Sequence, residues 1–324
     1  MGIKLGTAEM KYGLCLAPMA GYTDRAMRLV CHKNGVEHSV TEMVSAKAVV
    51  YGDQKTHALA RIMPDEGPVS LQIFGSEPEI MAQAAYTLSN PTEGVRPVAI
   101  DINMGCPVNK IFSNGEGSAL MKDPDLIYKI TKAVSSALSI PTTVKIRAGI
   151  NKNSINAVEC ALAAEDGGAS LLCIHGRTRE QMYGGLADHK IIKDVKNTLH
   201  IPVIANGDVV DAESALAMFR DTNADGIAIG RGAVGNPFIF NEIISALENK
   251  DFTPPSIEER IDTALLQLRT AIEEKGERIA IPEARKQIAL YLRSFRGAAR
   301  IRAEINRALT YSEVEKALKS AIYE

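Results

Sequence analysis

One cysteine of this 324-residue chain stands in a setting suited to chemistry, the stretch Asn103-Met104-Gly105-Cys106-Pro107 just past the end of a short β-branched run. A cysteine there is either an inert small residue or a reactive thiol, and glycine and proline on either side favour an exposed, reactive position. Three neighbouring runs add polar groups at a spacing of two. Leu71 and Ile73 alternate with Ser70 and Gln72, Ile100 and Ile102 with Asp101 and Asn103, and Val144 and Ile146 with Thr143 and Lys145. In strands this alternation sends the apolar set toward covering helices and Gln72, Asp101, Asn103 and Lys145 toward the opposite face. A lysine on an inner face is costly unless compensated, so it needs either Asp101 as a structural partner or a polar ligand.

Further along, Asn206-Gly207-Asp208 and Gly230-Arg231-Gly232 each follow a short apolar run. Glycines at such turns let backbone N–H groups approach an anion, and Arg231 adds a charge, so the pair points to a phosphate-bearing ligand. His175, which precedes Gly176-Arg177-Thr178, is placed to be a ligand contact or a general acid.

The elements that must position these residues are legible as β-branched runs bounded by Gly, Pro or Asp: 13–19, 37–43, 68–74, 97–103, 141–147, 170–175, 201–206 and 226–230. Helix-length segments separate them, with start signals at Asp24, Glu77-Pro78 and Asp123-Pro124 before helices expected at 25–34, 79–90 and 125–138. Eight strands alternating with helices predict a (β/α)8 TIM barrel, whose active site is built at the carboxyl ends of the strands. An open doubly wound sheet is the alternative, but Ala17-Pro18-Met19-Ala20-Gly21 stands where its glycine-rich dinucleotide turn would be.

After Phe240 the strand signals stop, and residues 251–256 read as a linker. Apolar residues at helical spacing over 257–274, 282–295, 298–309 and 312–322 predict a small C-terminal helical bundle. The expected division is therefore a catalytic barrel over 1–244 and a helical unit over 245–324. Between Arg285 and Arg307 the basic residues Arg285, Lys286, Arg293, Arg296, Arg300, Arg302 and Arg307 face one acid, Glu304, a local net charge of +6. This is either a solvated helix face or a patch for a polyanion.

Composition narrows the class. With 46% hydrophobic and 23% charged residues the chain reads as globular, not disordered. No apolar run approaches the roughly 20 residues of a spanning helix, and Met1 to Glu9 lacks a signal-peptide pattern. A cytoplasmic location is the expectation. Five cysteines without a C-x-x-C pair fit a reducing compartment, with neither a disulfide framework nor a structural metal site expected. A net charge of -2 means that any nucleic-acid site has to be a local patch.

Seven ordered motifs are similar to those of the tRNA-dihydrouridine synthases, most nearly the bacterial B-type subfamily. They are residues 16–24 (LAPMAGYTD), 41–46 (TEMVSA), 72–75 (QIFG), 101–107 (DINMGCP), 143–147 (TVKIR), 174–179 (IHGRTR) and 204–208 (IANGD). The resemblance implies an FMN enzyme that reduces the C5=C6 bond of a uridine in tRNA, with NADPH (or NADH) as reductant. It implies hydride transfer from flavin N5 to C6 and a proton from Cys106 to C5. It further implies that Pro18, Met19 and Ala20 line the flavin and that Gln72 and Lys145 bond its ring. His175, Asn206, Gly207, Asp208, Gly230 and Arg231 would complete the ribityl and phosphate cradle.

Asn103 and Arg177 are implied to hold the uracil and a nearby phosphate, and Arg285, Lys286, Arg293 and Arg296 the tRNA. No metal, membrane or obligate protein partner is expected. A uridine within folded RNA must be splayed out to reach a barrel mouth, so the RNA has to be held outside it. The chain departs from the family's tail motif Lys-His-x-x-Trp-Tyr, because Gln287 and Leu290 replace the histidine and the aromatic. An FMN enzyme acting on a small pyrimidine, or an RNA-binding barrel without turnover, are the alternatives.

Overall fold

Aspartate and proline start the helices where the sequence places them. The Asp24 carboxylate accepts from the Met27 amide at the head of helix Arg25–Lys33, and Asp123 does the same for Leu126 ahead of Pro124–Ala137. Pro78 opens helix Pro78–Ser89, where its missing N–H costs nothing. The computed structural model describes residues 2–293 and 295–323; Met1, Ser294 and Glu324 lie outside the described residues.

A short hairpin comes first, β1 (Ile3–Leu5) against β2 (Ala8–Met10). The staves of a closed parallel barrel follow: β3 (Leu14–Leu16), β4 (His38–Val40), β5 (Val44–Ser45), β6 (Val69–Phe74), β7 (Ile100–Asn103), β8 (Thr142–Arg147), β9 (Leu171–His175), β10 (Val203–Asn206) and β11 (Gly226–Ile229). The short β4 and β5 share one position beside β6, and β11 pairs back onto β3, so eight staves close the ring. All eight sequence-derived runs are strands of this barrel.

Strand alternation sorts the two faces. Leu71, Ile73, Ile100, Ile102, Val144 and Ile146 are buried in one core with helix residues such as Met81, Ile127, Ile130 and Ile192. Each such side chain contributes about 1.5–3 kcal/mol by burial. The barrel interior holds a separate apolar cluster at its amino end, where Cys15, Ala17, Leu171, Cys173, Ile204 and Ala228 meet Ile3, Leu5 and Met10 of the hairpin. The hairpin thus plugs the bottom of the barrel. Its three-residue strands are too short to register as a period in the sequence, and only the barrel end gives their apolar face something to cover.

Residues 251–256 are irregular, as expected, and lead into helices Ile257–Lys275, Glu277–Ile288, Ala298–Arg307 and Tyr311–Lys319. The second of these starts five residues before Pro282, which lies inside it. Burial of Ala280 and Ile281 holds the extra turn in place despite the proline. These helices share their own core, including Ile261, Leu265, Leu268, Ile288, Tyr291, Ile301 and Leu318. Polar contacts that tie them to the barrel include Lys275 with Asp24 at 2.8 Å, Glu274 with Arg25 at 3.1 Å and with Arg61 at 3.4 Å, and the Lys286 ammonium 4.0 Å above the Tyr22 ring. No helix among the described residues is long and apolar enough to cross a membrane.

Candidate active site

The carboxyl ends of the strands surround a cavity of about 780 Å³. Its floor is polar because strands β6, β7 and β8 all present hydrogen-bonding side chains inward. Asp101 is buried, accepting from Thr143 Oγ1 at 2.5 Å and from Gln72 Nε2 at 2.6 Å. Burial nevertheless pushes its carboxyl above the ordinary aspartate range. Because Asp101 takes the Gln72 amide N–H, Gln72 Oε1 turns to Asn103 Nδ2 at 2.8 Å. Asn103 Oδ1 then accepts the backbone amides of Gly105 and Cys106, at 3.2 and 2.9 Å. One chain of hydrogen bonds therefore runs from the barrel floor to the Cys106 backbone and sets every amide orientation along it.

Lys145 does not pair with Asp101. Its Nζ donates to Asn206 Oδ1 at 3.0 Å, and Asn206 Nδ2 donates to the Ala228 carbonyl at 2.7 Å. Burial lowers the Lys145 pKa from its ordinary value. Among the described residues the ammonium has no carboxylate at ion-pair distance, so Asp101 is not its structural partner, and it borders the cavity.

Cys106 lines the cavity and is 9% exposed. Burial raises its pKa above the usual thiol value, against the Val108 amide and the charge of Arg147. The group is a neutral thiol at pH 7, able to give a proton. Ser118 clamps the loop from the other side through its Oγ, 2.7 Å from the Cys106 carbonyl. The remaining four cysteines are buried and free.

Opposite lies the glycine side. Gly207 adopts φ +138, and a Cβ there would meet the Ala187 Cβ at 2.5 Å, so glycine is required. Asp208 sits at φ +53 and receives the Ala187 amide at 2.8 Å and Arg177 Nη2 at 2.7 Å. Although partial burial acts to raise it, the Arg177 and Ala187 hydrogen bonds hold its pKa below the ordinary range. Lys145, Arg147, Arg231 and Arg293 line the cavity against this single carboxylate, so the site attracts anions. Burial, reinforced by Lys145, Arg147, Arg177 and Arg231, drives the His175 pKa down to about 2. Arg177, which only donates, faces His175 Nε2 at 3.4 Å and leaves the imidazole proton on Nδ1. The imidazole is held neutral on the cavity wall.

Of the residues singled out from sequence, Pro18, Met19, Ala20, Gln72, Asn103, Cys106, Lys145, His175, Asn206, Gly207, Asp208, Gly230, Arg231 and Arg293 share this one cavity. Arg177 stands behind the wall, 2% exposed, its guanidinium spent on the Gly184 and Gly185 carbonyls and on Asp208. Arg285 donates to the Ala308 carbonyl within the helical unit at 2.6 Å, whereas Lys286 and Arg296 are exposed. Sequence reasoning gave no role to Arg147, Tyr22 and Tyr183, all of which line the cavity, as does Leu290 of the divergent tail motif. For Arg147 the signal was present, since it continues the inward phase of Thr143 and Lys145. Its Nε holds the Gly105 carbonyl at 2.8 Å and its Nη1 the Thr178 and Met182 carbonyls, joining the Cys106 loop to the loop after β9.

The family model "Dihydrouridine synthase (Dus)" matches residues 15–324. The chain belongs to the dihydrouridine synthase family. The tRNA-dihydrouridine synthase B of Shewanella oneidensis is 39% identical over 312 residues, covering 96% of this chain and 95% of that protein. A probable tRNA-dihydrouridine synthase of Rickettsia conorii is 37% identical over 306 residues, covering 94% and 91%. Among solved structures, histamine dehydrogenase from Rhizobium sp. 4-9 superposes with a TM-score of 0.57 at 13% identity, over 83% of this chain and 50% of that one. An old yellow enzyme homologue from Zymomonas mobilis gives 0.50 at 12% identity, over 80% and 95%. Likeness at that level concerns the barrel fold. Family membership and the polar cavity at the barrel mouth together establish an enzyme of the dihydrouridine synthase class.

Proposed function

We propose that this chain is a tRNA-dihydrouridine synthase that reduces the C5=C6 bond of a uridine in tRNA, with FMN in the barrel-mouth cavity and NADPH (or NADH) as reductant. The observation that carries the reading is the presence, on one cavity, of a neutral Cys106 thiol and a Lys145 ammonium that has no carboxylate partner among the described residues. The donor set fits FMN: Lys145 and Gln72 for the ring, Pro18, Met19 and Ala20 for its wall, and His175, Asn206, Gly207, Asp208, Gly230 and Arg231 for the ribityl chain and phosphate. FMN bound there would supply the hydride-transfer chemistry that side chains lack.

The protein's own groups do the rest. Lys145 would hold a positive charge beside the flavin ring, where it would favour the reduced, anionic form. Asn103 fixes the Cys106 backbone and turns the thiol to the cavity, where it gives C5 a proton as a general acid. Arg147 holds that loop against the one after β9. Residues 1–244 act as the catalytic barrel and 245–324 as the RNA-holding unit, with Lys286, Arg293 and Arg296 meeting phosphates while the uridine is extruded. A reducing, cytoplasmic location fits the five free cysteines.

The test is the visible spectrum of the purified protein, followed by incubation with NADPH and unmodified tRNA and nucleoside mass spectrometry. A flavin spectrum with dihydrouridine formed is the expected result. Flavin reduced by NADPH with tRNA untouched would replace this reading by a small-molecule oxidoreductase.

A further inference from the structure

On the same rim of the barrel, beyond the Cys106 loop, lies a second cavity of about 550 Å³. Ser45 at the end of β5 and Phe74 at the end of β6 form one side, and Lys110, Asn114 and Glu116 form the other, with Lys47 at the edge. Glu116 is the unusual member. The residue is 6% exposed, yet its carboxylate has no hydrogen-bond or ion-pair partner among the described residues. Lys47, whose charge acts on it, is paired with Glu77 at 2.6 Å.

Glu116 precedes the turn Gly117–Lys122, where a side chain normally folds back onto the first amides, but it makes no such cap. Gly115 and Gly117, both at positive φ, bend the chain on either side of it and leave the carboxylate facing the cavity. Burial pushes this carboxyl above the ordinary range, partly offset by Lys47. The carboxylate meets solvent only through the cavity, and a ligand that brings N–H groups can replace that water.

The cavity wall is fixed in advance. Helix Asn109–Ser113 is pinned from outside by Arg179, whose guanidinium lies 3.9 Å from the Phe112 ring centroid and 2.5 Å from Asn109 Oδ1. The ring of Phe74 offers a flat apolar side, and exposed Lys110 a phosphate contact at the rim. An ionised carboxylate only accepts hydrogen bonds. Guanine alone among the RNA bases offers it two adjacent donors, N1–H and the N2 amino group. Uracil sets one N–H between two carbonyls, and adenine and cytosine set one amino group beside a ring acceptor.

We infer that the cavity of Ser45, Phe74, Asn114 and Glu116 is a second nucleobase pocket that takes a guanine of the substrate RNA close to the extruded uridine. This rests on the tRNA-substrate reading above. The pocket would hold the RNA in register while the neighbouring cavity works on the uridine, giving a base-specific contact beside the sequence-neutral phosphate contacts of the helical unit.

The experiment is fluorescence anisotropy of the full-length flavoprotein with unmodified tRNA, and with synthetic tRNAs carrying single guanosine-to-inosine replacements near the target uridine. Inosine lacks only the N2 amino group. The parent should lose about tenfold in affinity at one inosine position. Glu116→Gln should lose a similar factor on the unmodified RNA and nothing more on that inosine RNA. Glu116→Gln and Glu116→Ala should keep the flavin spectrum and melt no lower than the parent without RNA, because the carboxylate holds no hydrogen bond or ion pair that its loss would break. Equal affinities for parent and Glu116→Gln, equal inosine losses in both, or lowered melting with loss of flavin would each overturn the pocket. Binding is read without turnover, so a parent that holds guanosine through Glu116 yet forms no dihydrouridine defeats the activity reading alone. Dihydrouridine formation indifferent to Glu116 defeats the pocket alone.

Discussion

Lys145 Nζ reaches Asn206 Oδ1, 3.0 Å away and two strands across the barrel, while Asp101 is occupied by Gln72 and Thr143. Among the described residues no carboxylate pairs with it, which leaves its donors toward the cavity. Lys145→Ala should weaken flavin retention or slow flavin reduction by about tenfold or more, the worth of a charged hydrogen bond. Flavin content after dialysis and stopped-flow reduction by NADPH measure this. Unchanged values in both would remove Lys145 from the cofactor site.

Cys106→Ala should keep the flavin absorbance and the tRNA affinity but lose turnover by about 10²–10⁴, the usual contribution of a positioned acid. The pH profile carries the sign. The active form is the thiol, whose pKa is raised by burial, so kcat stays level through neutrality and falls only as pH climbs past the usual thiol range. A rate that rises with pH there would mark Cys106 as a thiolate nucleophile.

Arg147→Lys keeps a cation but cannot hold the Gly105, Thr178 and Met182 carbonyls together. With the Cys106 loop released, kcat should fall about 100-fold, because displacement of about 1 Å is that costly. Bound flavin should remain. Single-turnover rates of dihydrouridine formation separate this from a binding defect.

The basic tail residues divide in two. Replacing Lys286, Arg293 and Arg296 by glutamine should weaken tRNA binding and make the log-log salt slope shallower by about 2, for three lost phosphate contacts on flexible RNA. Arg285→Ala should instead lower stability by about 1 kcal/mol through the lost bond to the Ala308 carbonyl, with the salt slope unchanged. Salt titration and thermal melting of the two variants distinguish them.

Asp208 offers a test against acid. Partial burial opposes its ionisation, but Arg177 and the Ala187 amide prevail and its folded-state pKa lies below the unfolded value. A depressed carboxylate contributes stability above its unfolded pKa, about 3.9, and loses it as pH falls through the folded value. The stability gap between parent and Asp208→Asn should thus be constant from pH 5 to 7 and shrink below about pH 4. Urea denaturation across that range would reveal a pH-independent gap if the ion pair contributed nothing.

The eight strands, the inward phase of Gln72, Asp101, Asn103 and Lys145, and the glycine turns at Gly207 and Gly230 were all written in the sequence, because strand period and turn chemistry are local properties. Seven motifs in order identified the family for the same reason. What the sequence alone left open were pairings between distant segments. Lys145 meets Asn206 rather than Asp101 because barrel closure and strand stagger decide which inward side chains share a level. Arg177 turns away from the cavity because the loop at Gly184 and Gly185 presents carbonyls to it. Arg147 joins two loops that are separate in the chain, Arg285 caps a helix end 23 residues away, and Glu116 is buried beside a lysine already claimed by Glu77. A charged side chain is satisfied by the nearest complementary group in space, and only the folded chain determines which group that is.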